Sequence, residues 1–194
     1  MMHRMKKQVA VAVLGLLLGA TLEAQGDPRG ADPRMAAQKQ AQDGMARFAW
    51  LVGEWEGPAT VSAGGRSMTL TQRETVQWSA NNTVLLIQGR GSMRMGQAGP
   101  ERQVFAAAGL LTFDATTGKH LFFSASGTGQ AQQFGIELHG ADGMIWGYDT
   151  PDGGRTRYTI SRTAAGAWRE VGEVSTDGGK TWQQTLEFTL TRKP

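Results

Sequence analysis

The chain has 194 residues, no cysteine, 27 glycines and a formal charge of +3. The lack of cysteine excludes disulfides and thiolate metal sites, and the length suits one domain with a sizeable core. Residues 1–24 hold three of the 20 Lys+Arg and one of the 17 Asp+Glu, so the remainder stands at 17 against 16, a balance that does not call for nucleic acid or acidic lipid as a partner.

The first predicted element is a targeting segment. Met1-Met2-His3-Arg4-Met5-Lys6-Lys7 precedes an apolar run over 9–22, shorter than the ~20 residues of a membrane span. The basic flank and Ala24 predict a signal peptide over 1–24, with an uncleaved anchor as the alternative. No cysteine follows to carry a lipid, so a periplasmic or secreted location is expected, with no membrane attachment after cleavage. Residues 25–33 carry two Asp-Pro pairs and read as a flexible leader. Asp32-Pro33 then starts a short helix, an N-cap followed by a ring pre-set for the first turn. Its body runs from Arg34 to about Arg47, with Met35, Ala41, Met45 and Phe48 as the apolar face.

From Glu54 onward the period becomes two. Ten strands are predicted: 54–62, 67–79, 83–94, 104–113, 120–127, 130–139, 144–149, 155–163, 167–175 and 181–192. Turn residues such as Ala63-Gly64-Gly65, Asn81-Asn82, Asp152-Gly153-Gly154 and Asp177-Gly178-Gly179 separate them, and 95–102 reads as a longer loop. The fold class is therefore all-β: an antiparallel up-and-down barrel of about ten strands, behind one short N-terminal helix. One domain over 34–194 is expected. Trp55 on the first strand and Arg192 on the last would both point inward and meet on closure, a favourable cation–π pairing.

The Gly53-Glu54-Trp55 signature, the preceding helix and the lone terminal arginine resemble those of calycin barrels such as lipocalins and fatty-acid-binding proteins. The number of strands is closer to nitrobindin-like haem barrels. The segments L-V-G-E-W-E-G (51–57), F-D-A-T-T-G-K (113–119) and E-V-S-T-D-G-G-K-T-W (173–182) resemble a secreted bacterial family of unknown function, over roughly 45–192. The nitrobindin likeness implies a histidine ligand to haem near the end of the barrel. No histidine follows His139, so no haem, and no other cofactor, is expected.

Other motifs fit structural roles better than chemical ones. Ser175-Thr176-Asp177-Gly178-Gly179-Lys180-Thr181-Trp182 matches an Asp-box, a hairpin whose Ser and Asp bond the turn backbone. Its Gly-Lys-Thr lacks the upstream glycine and downstream helix of a P-loop. His120 and His139 have no metal-ligand spacing and read as surface histidines, and no serine-nucleophile elbow is present. No catalytic residue is assigned.

The distinctive feature is polar residues on faces that should be interior. Gln72 and Glu74 share a face with Met68, Leu70, Val76 and Trp78. An interior carboxylate needs a partner or water, so Arg90 or Arg157 is the expected partner unless a wet cavity surrounds it. Gln130, Gln132 and Phe134 align with Met144, Trp146 and Tyr148, and Trp182 and Gln184 join them from the last strand. The expected site is an amphipathic pocket of Gln72, Glu74, Trp78, Phe134, Trp146, Tyr148 and Trp182 for a small hydrophobic or amphipathic molecule. The alternatives are an enzyme using Glu74, Arg157 and Tyr148 as acid–base groups, and a plain structural or interaction domain with a filled core.

Overall fold

The computed structural model describes residues 32–96 and 99–194. The expected signal peptide, and the leader as far as Ala31, lie outside the described residues. Helix α1 spans Pro33–Met45, and Asp32 caps it by accepting the Arg34 N–H at 2.9 Å. A 3₁₀ turn, Ala46–Leu51, continues it. Ala41, Met45 and Phe48 are buried as the pattern predicts, whereas Met35, in the first turn of α1, is exposed.

Ten strands follow: β1 (Gly53–Ala63), β2 (Arg66–Ser79), β3 (Val84–Arg94), β4 (Glu101–Asp114), β5 (Lys119–Ser126), β6 (Ala131–His139), β7 (Gly143–Asp149), β8 (Arg155–Arg162), β9 (Trp168–Ser175) and β10 (Gln183–Arg192). Each pairs antiparallel with its sequence neighbours, and β1 pairs with β10 to close the barrel. Closure leaves no strand edge exposed. The predicted loop 95–102 is shorter than expected, because β4 begins at Glu101, opposite Arg94.

The two ends of the barrel differ. At the end carrying the β2–β3, β4–β5 and β6–β7 turns, the helical segment lies across the opening. Gln42 Nε2 donates to the Asn81 carbonyl at 2.7 Å and Trp50 Nε1 to that of Asp142 at 2.8 Å. The His120 ring bonds the Gly44 carbonyl at 2.9 Å between Phe48 and Phe113, so it anchors the helix and is not a surface histidine. The largest fully buried side chains, Trp55, Phe48, Met45, Leu51, Leu85, Leu111, Met144 and Leu190, all gather in this half.

A triangle of indoles marks where the filled half stops. Trp50, Trp55 and Trp168 meet edge-to-face with centroids 6.1 to 6.3 Å apart. Arg192 is the register partner of Trp55 and stacks over its ring at 4.6 Å, donating also to the Trp50 carbonyl. The last residues of the barrel thus clamp its first strand and the helical plug together.

Candidate functional site

Beyond the triangle the barrel is hollow. A cavity of about 1060 Å³ runs from Trp168 to the end opposite the helix, where Ala63, Val104, Ser126 and Gln130 form its mouth. Alternation sets its walls, since each strand sends every second side chain inward.

Glu74 on β2 and Glu170 on β9 are both buried and both line this space. Glu74 accepts one hydrogen bond, from Gln72 Nε2 at 2.6 Å. Burial pushes its carboxyl up to about 7, against a weaker downward pull from Gln72. Glu170 has no ion-pair or hydrogen-bond partner among the described residues. Burial, then the charge of Glu74, raises it to about 8. The Trp168 indole N–H lies near enough to favour the Glu170 carboxylate, but outside hydrogen-bond geometry. The two acids are coupled, since a charge on Glu74 disfavours the ionised form of Glu170.

Glycines give these side chains room. Gly89 on β3 is the register partner of Glu74, and a Cβ there would lie 2.7 Å from Glu74 Oε1. Gly172 on β9 stands likewise opposite Tyr158, whose ring would come 2.9 Å from an added Cβ. Gly89→Ala is therefore expected to displace the Glu74 carboxyl and to lower stability by about 1 kcal/mol, the low end of overpacking, since the atoms met are the free end of a flexible side chain beside the cavity. Gly135→Ala on β6, where a Cβ meets open space, is the control and should leave the melting temperature unchanged or slightly raised. Equal melting temperatures for the two variants would contradict the contact.

The facing wall is aromatic. Trp146 stacks on Tyr158 with centroids 4.2 Å apart, and Phe134 lies 5.0 Å from Trp146 and 6.1 Å from Tyr148. The Tyr158 hydroxyl is pushed up to about 12 by burial first, with Tyr148 and Glu170 adding to it. The indole N–H groups of Trp146 and Trp168 are buried without a hydrogen-bond partner among the described residues.

The structure brings Gln72, Glu74, Phe134, Trp146 and Tyr148 together around the cavity, but not Trp78 or Trp182. Trp78 lies on the predicted face at the helix-covered end, opposite Leu85, where it packs on the core. Trp182 precedes β10, and a bulge between Gln184 and Leu186 reverses the facing of everything before it. Gln184 consequently bonds the outward Glu187, and Trp182 stacks outside the barrel, 3.9 Å from the Arg157 guanidinium. Arg157 pairs with Glu173 at 2.7 Å, and Arg90 is exposed. Neither partners Glu74, and the triad Glu74, Arg157 and Tyr148 does not converge.

Glu170, Tyr158 and Trp168 are the functional candidates that reasoning from sequence missed. The signal was present in Trp168-Arg169-Glu170-Val171-Gly172, where alternation puts a carboxylate between a tryptophan and a glycine on one face. The Asp-box forms the expected hairpin. Asp177 accepts the backbone N–H groups of Lys180 and Thr181 at 3.0 and 2.9 Å, and Ser175 Oγ that of Gly179 at 2.8 Å.

The chain thus forms a closed antiparallel barrel, plugged at one end and lined at the other by a polar–aromatic cavity. Among solved structures the chain is similar to the crystal structure of Rv2717c from M. tuberculosis, with a TM-score of 0.54 and 12% identity, covering 78% of this chain and 98% of that one. That likeness extends to the fold. No protein-family description and no curated protein matches the chain.

Proposed function

We propose that this protein binds a small, partly hydrophobic molecule inside the barrel, as calycin-like barrels do. In this reading the chain belongs with the secreted bacterial barrels its motifs resemble, and it works in the periplasm or outside the cell after loss of its signal peptide. The observation that carries the reading is the half-hollow interior. The Trp50–Trp55–Trp168 triangle closes one end of a cavity of about 1060 Å³, and apolar walls surround a few inward polar groups. A domain stabilised by packing alone would fill that space, since interiors are normally close-packed.

The test uses N-phenyl-1-naphthylamine, a neutral probe that fluoresces in apolar surroundings. The protein lacking residues 1–24 is expected to bind it at one site, with a Kd on the order of micromolar. Ala107→Trp, placed in the cavity wall, should weaken binding at least about tenfold while the protein stays folded. Absence of binding, or binding indifferent to Ala107→Trp in a folded protein, would overturn the proposal.

A further inference from the structure

The charge inside the barrel is one-sided. Among the described residues, the cavity is lined by the two carboxyls of Glu74 and Glu170 and by no arginine, lysine or histidine. Outside, the wall pairs its carboxylates: Arg73 with Glu56 and Glu101, Arg157 with Glu173, Arg169 with Glu187. Inside, Gln72 gives Glu74 a single hydrogen bond, and Glu170, more than nine-tenths buried, reaches the cavity with none. A buried carboxyl without a cation is destabilising as a carboxylate, and two such groups at one site disfavour an anionic guest.

We propose that the cavity selects an organic cation, an amphipathic amine whose ammonium head sits at Glu74 and Glu170 while its apolar part lies along Phe134, Trp146 and Tyr148. The proposal rests on the ligand-binding reading above and adds the chemical class of the ligand. A cation supplies the missing counter-charge in a desolvated site, and ammonium groups are attracted to aromatic faces. The unpartnered Trp168 N–H already favours the ionised form of Glu170, which is the form a cation needs. A neutral guest uses only the walls.

Binding is coupled to protons. The groups facing the acids are Trp55 from β1 and Gly89 from β3 beside Glu74, and Ile160 from β8 and Phe188 from β10 beside Glu170, with the Tyr158 hydroxyl near enough to feel the charge of Glu170. None supplies a free positive charge, so a bound ammonium is what drives the carboxyls to ionise. The amine enters protonated, a carboxyl O–H releases its proton to solvent, and the ion pair remains. Preference for a permanently charged amine therefore rises with pH from about 6 to 9, as the free site ionises.

The experiment is calorimetric titration with one skeleton in three charge states: 3,3-diphenylpropylamine, 3,3-diphenylpropanol and 3,3-diphenylpropionate. Runs at pH 7.5 in two buffers of different ionisation enthalpy count the protons released. The amine is expected to bind at least about tenfold tighter than the alcohol, with proton release seen for the amine only and the propionate weakest. In the Glu74→Gln, Glu170→Gln double variant, checked for folding by its melting curve, the ratio of amine to alcohol affinity should fall to about twofold. An alcohol that binds as tightly as the amine, or an amine preference that survives in the double variant, overturns the choice of a cation and leaves the cavity reading standing. Failure of all three to bind overturns the choice of a cation, and the cavity reading is then decided by N-phenyl-1-naphthylamine.

Discussion

Replacing Glu74 and Glu170 together by glutamine is expected to raise the melting temperature at pH 8.5 and to leave it nearly unchanged at pH 5. Both carboxyls sit above their ordinary value of 4.5, at about 7 and about 8, with burial as the main cause. The folded protein therefore holds more protons than the unfolded chain across that interval. The contribution is fully present below about 4.5 and is lost as pH rises through about 8. Each tenfold change in proton affinity is worth about 1.4 kcal/mol, and water entering by the mouth reduces the full effect to about 2–4 kcal/mol. For a domain of this size that corresponds to about 5–10 °C. Glutamine stays neutral throughout, so the alkaline loss should vanish in the variant. Identical pH profiles for variant and wild type would mean that the two acids are solvated as in water. The acid limb has another origin: Asp114 and Asp177 lie below their ordinary range through hydrogen bonds in their turns, so their contribution is lost as pH falls.

The fold was legible because closure and alternation are local signals repeated along the chain. Glycine- and asparagine-rich turns bound each strand, and β2 runs without interruption in register with β1 from Arg66 to Val76. Facing was harder to read, because it accumulates error along a strand. Leu186, Phe188 and Leu190 point inward as alternation predicts, but the extra residue at Thr185 turned Gln184 and Trp182 outward. Depth along the barrel was not legible at all. Trp78 and Glu74 share a face of β2, yet one meets the plugged end and the other the cavity, a difference set by how far the helical segment reaches in. Pairing was misjudged for a related reason. Arg157 and Glu74 lie on opposite sides of the wall, so an arginine of suitable length was unavailable to the interior acid.

Trp55→Ala is expected to be the most damaging single substitution at the plugged end. Trp55 is 1% exposed, donates its indole N–H to the Leu51 carbonyl at 2.7 Å, and touches Trp50, Trp168 and Arg192. Deleting a buried tryptophan costs about 3–5 kcal/mol through lost transfer energy and the void left behind. Here the loss also frees the Arg192 guanidinium from its stack and removes the bond that ties β1 to the 3₁₀ turn. A fall of ~10 °C in melting temperature follows from that scale. Arg192→Met separates the two parts of the effect, because it keeps an apolar stem over the ring and removes the charge. It should cost about 1–2 kcal/mol, the worth of the cation–π contact and the bond to the Trp50 carbonyl. Since Arg192 lies beyond the indole triangle from the mouth, Arg192→Met should leave the affinity for N-phenyl-1-naphthylamine within about threefold of wild type. An unchanged melting temperature for Arg192→Met would contradict the clamp. A large loss of probe binding in that folded variant would show that the plug and the cavity are not separable, and that the hollow half depends on the filled one for its shape.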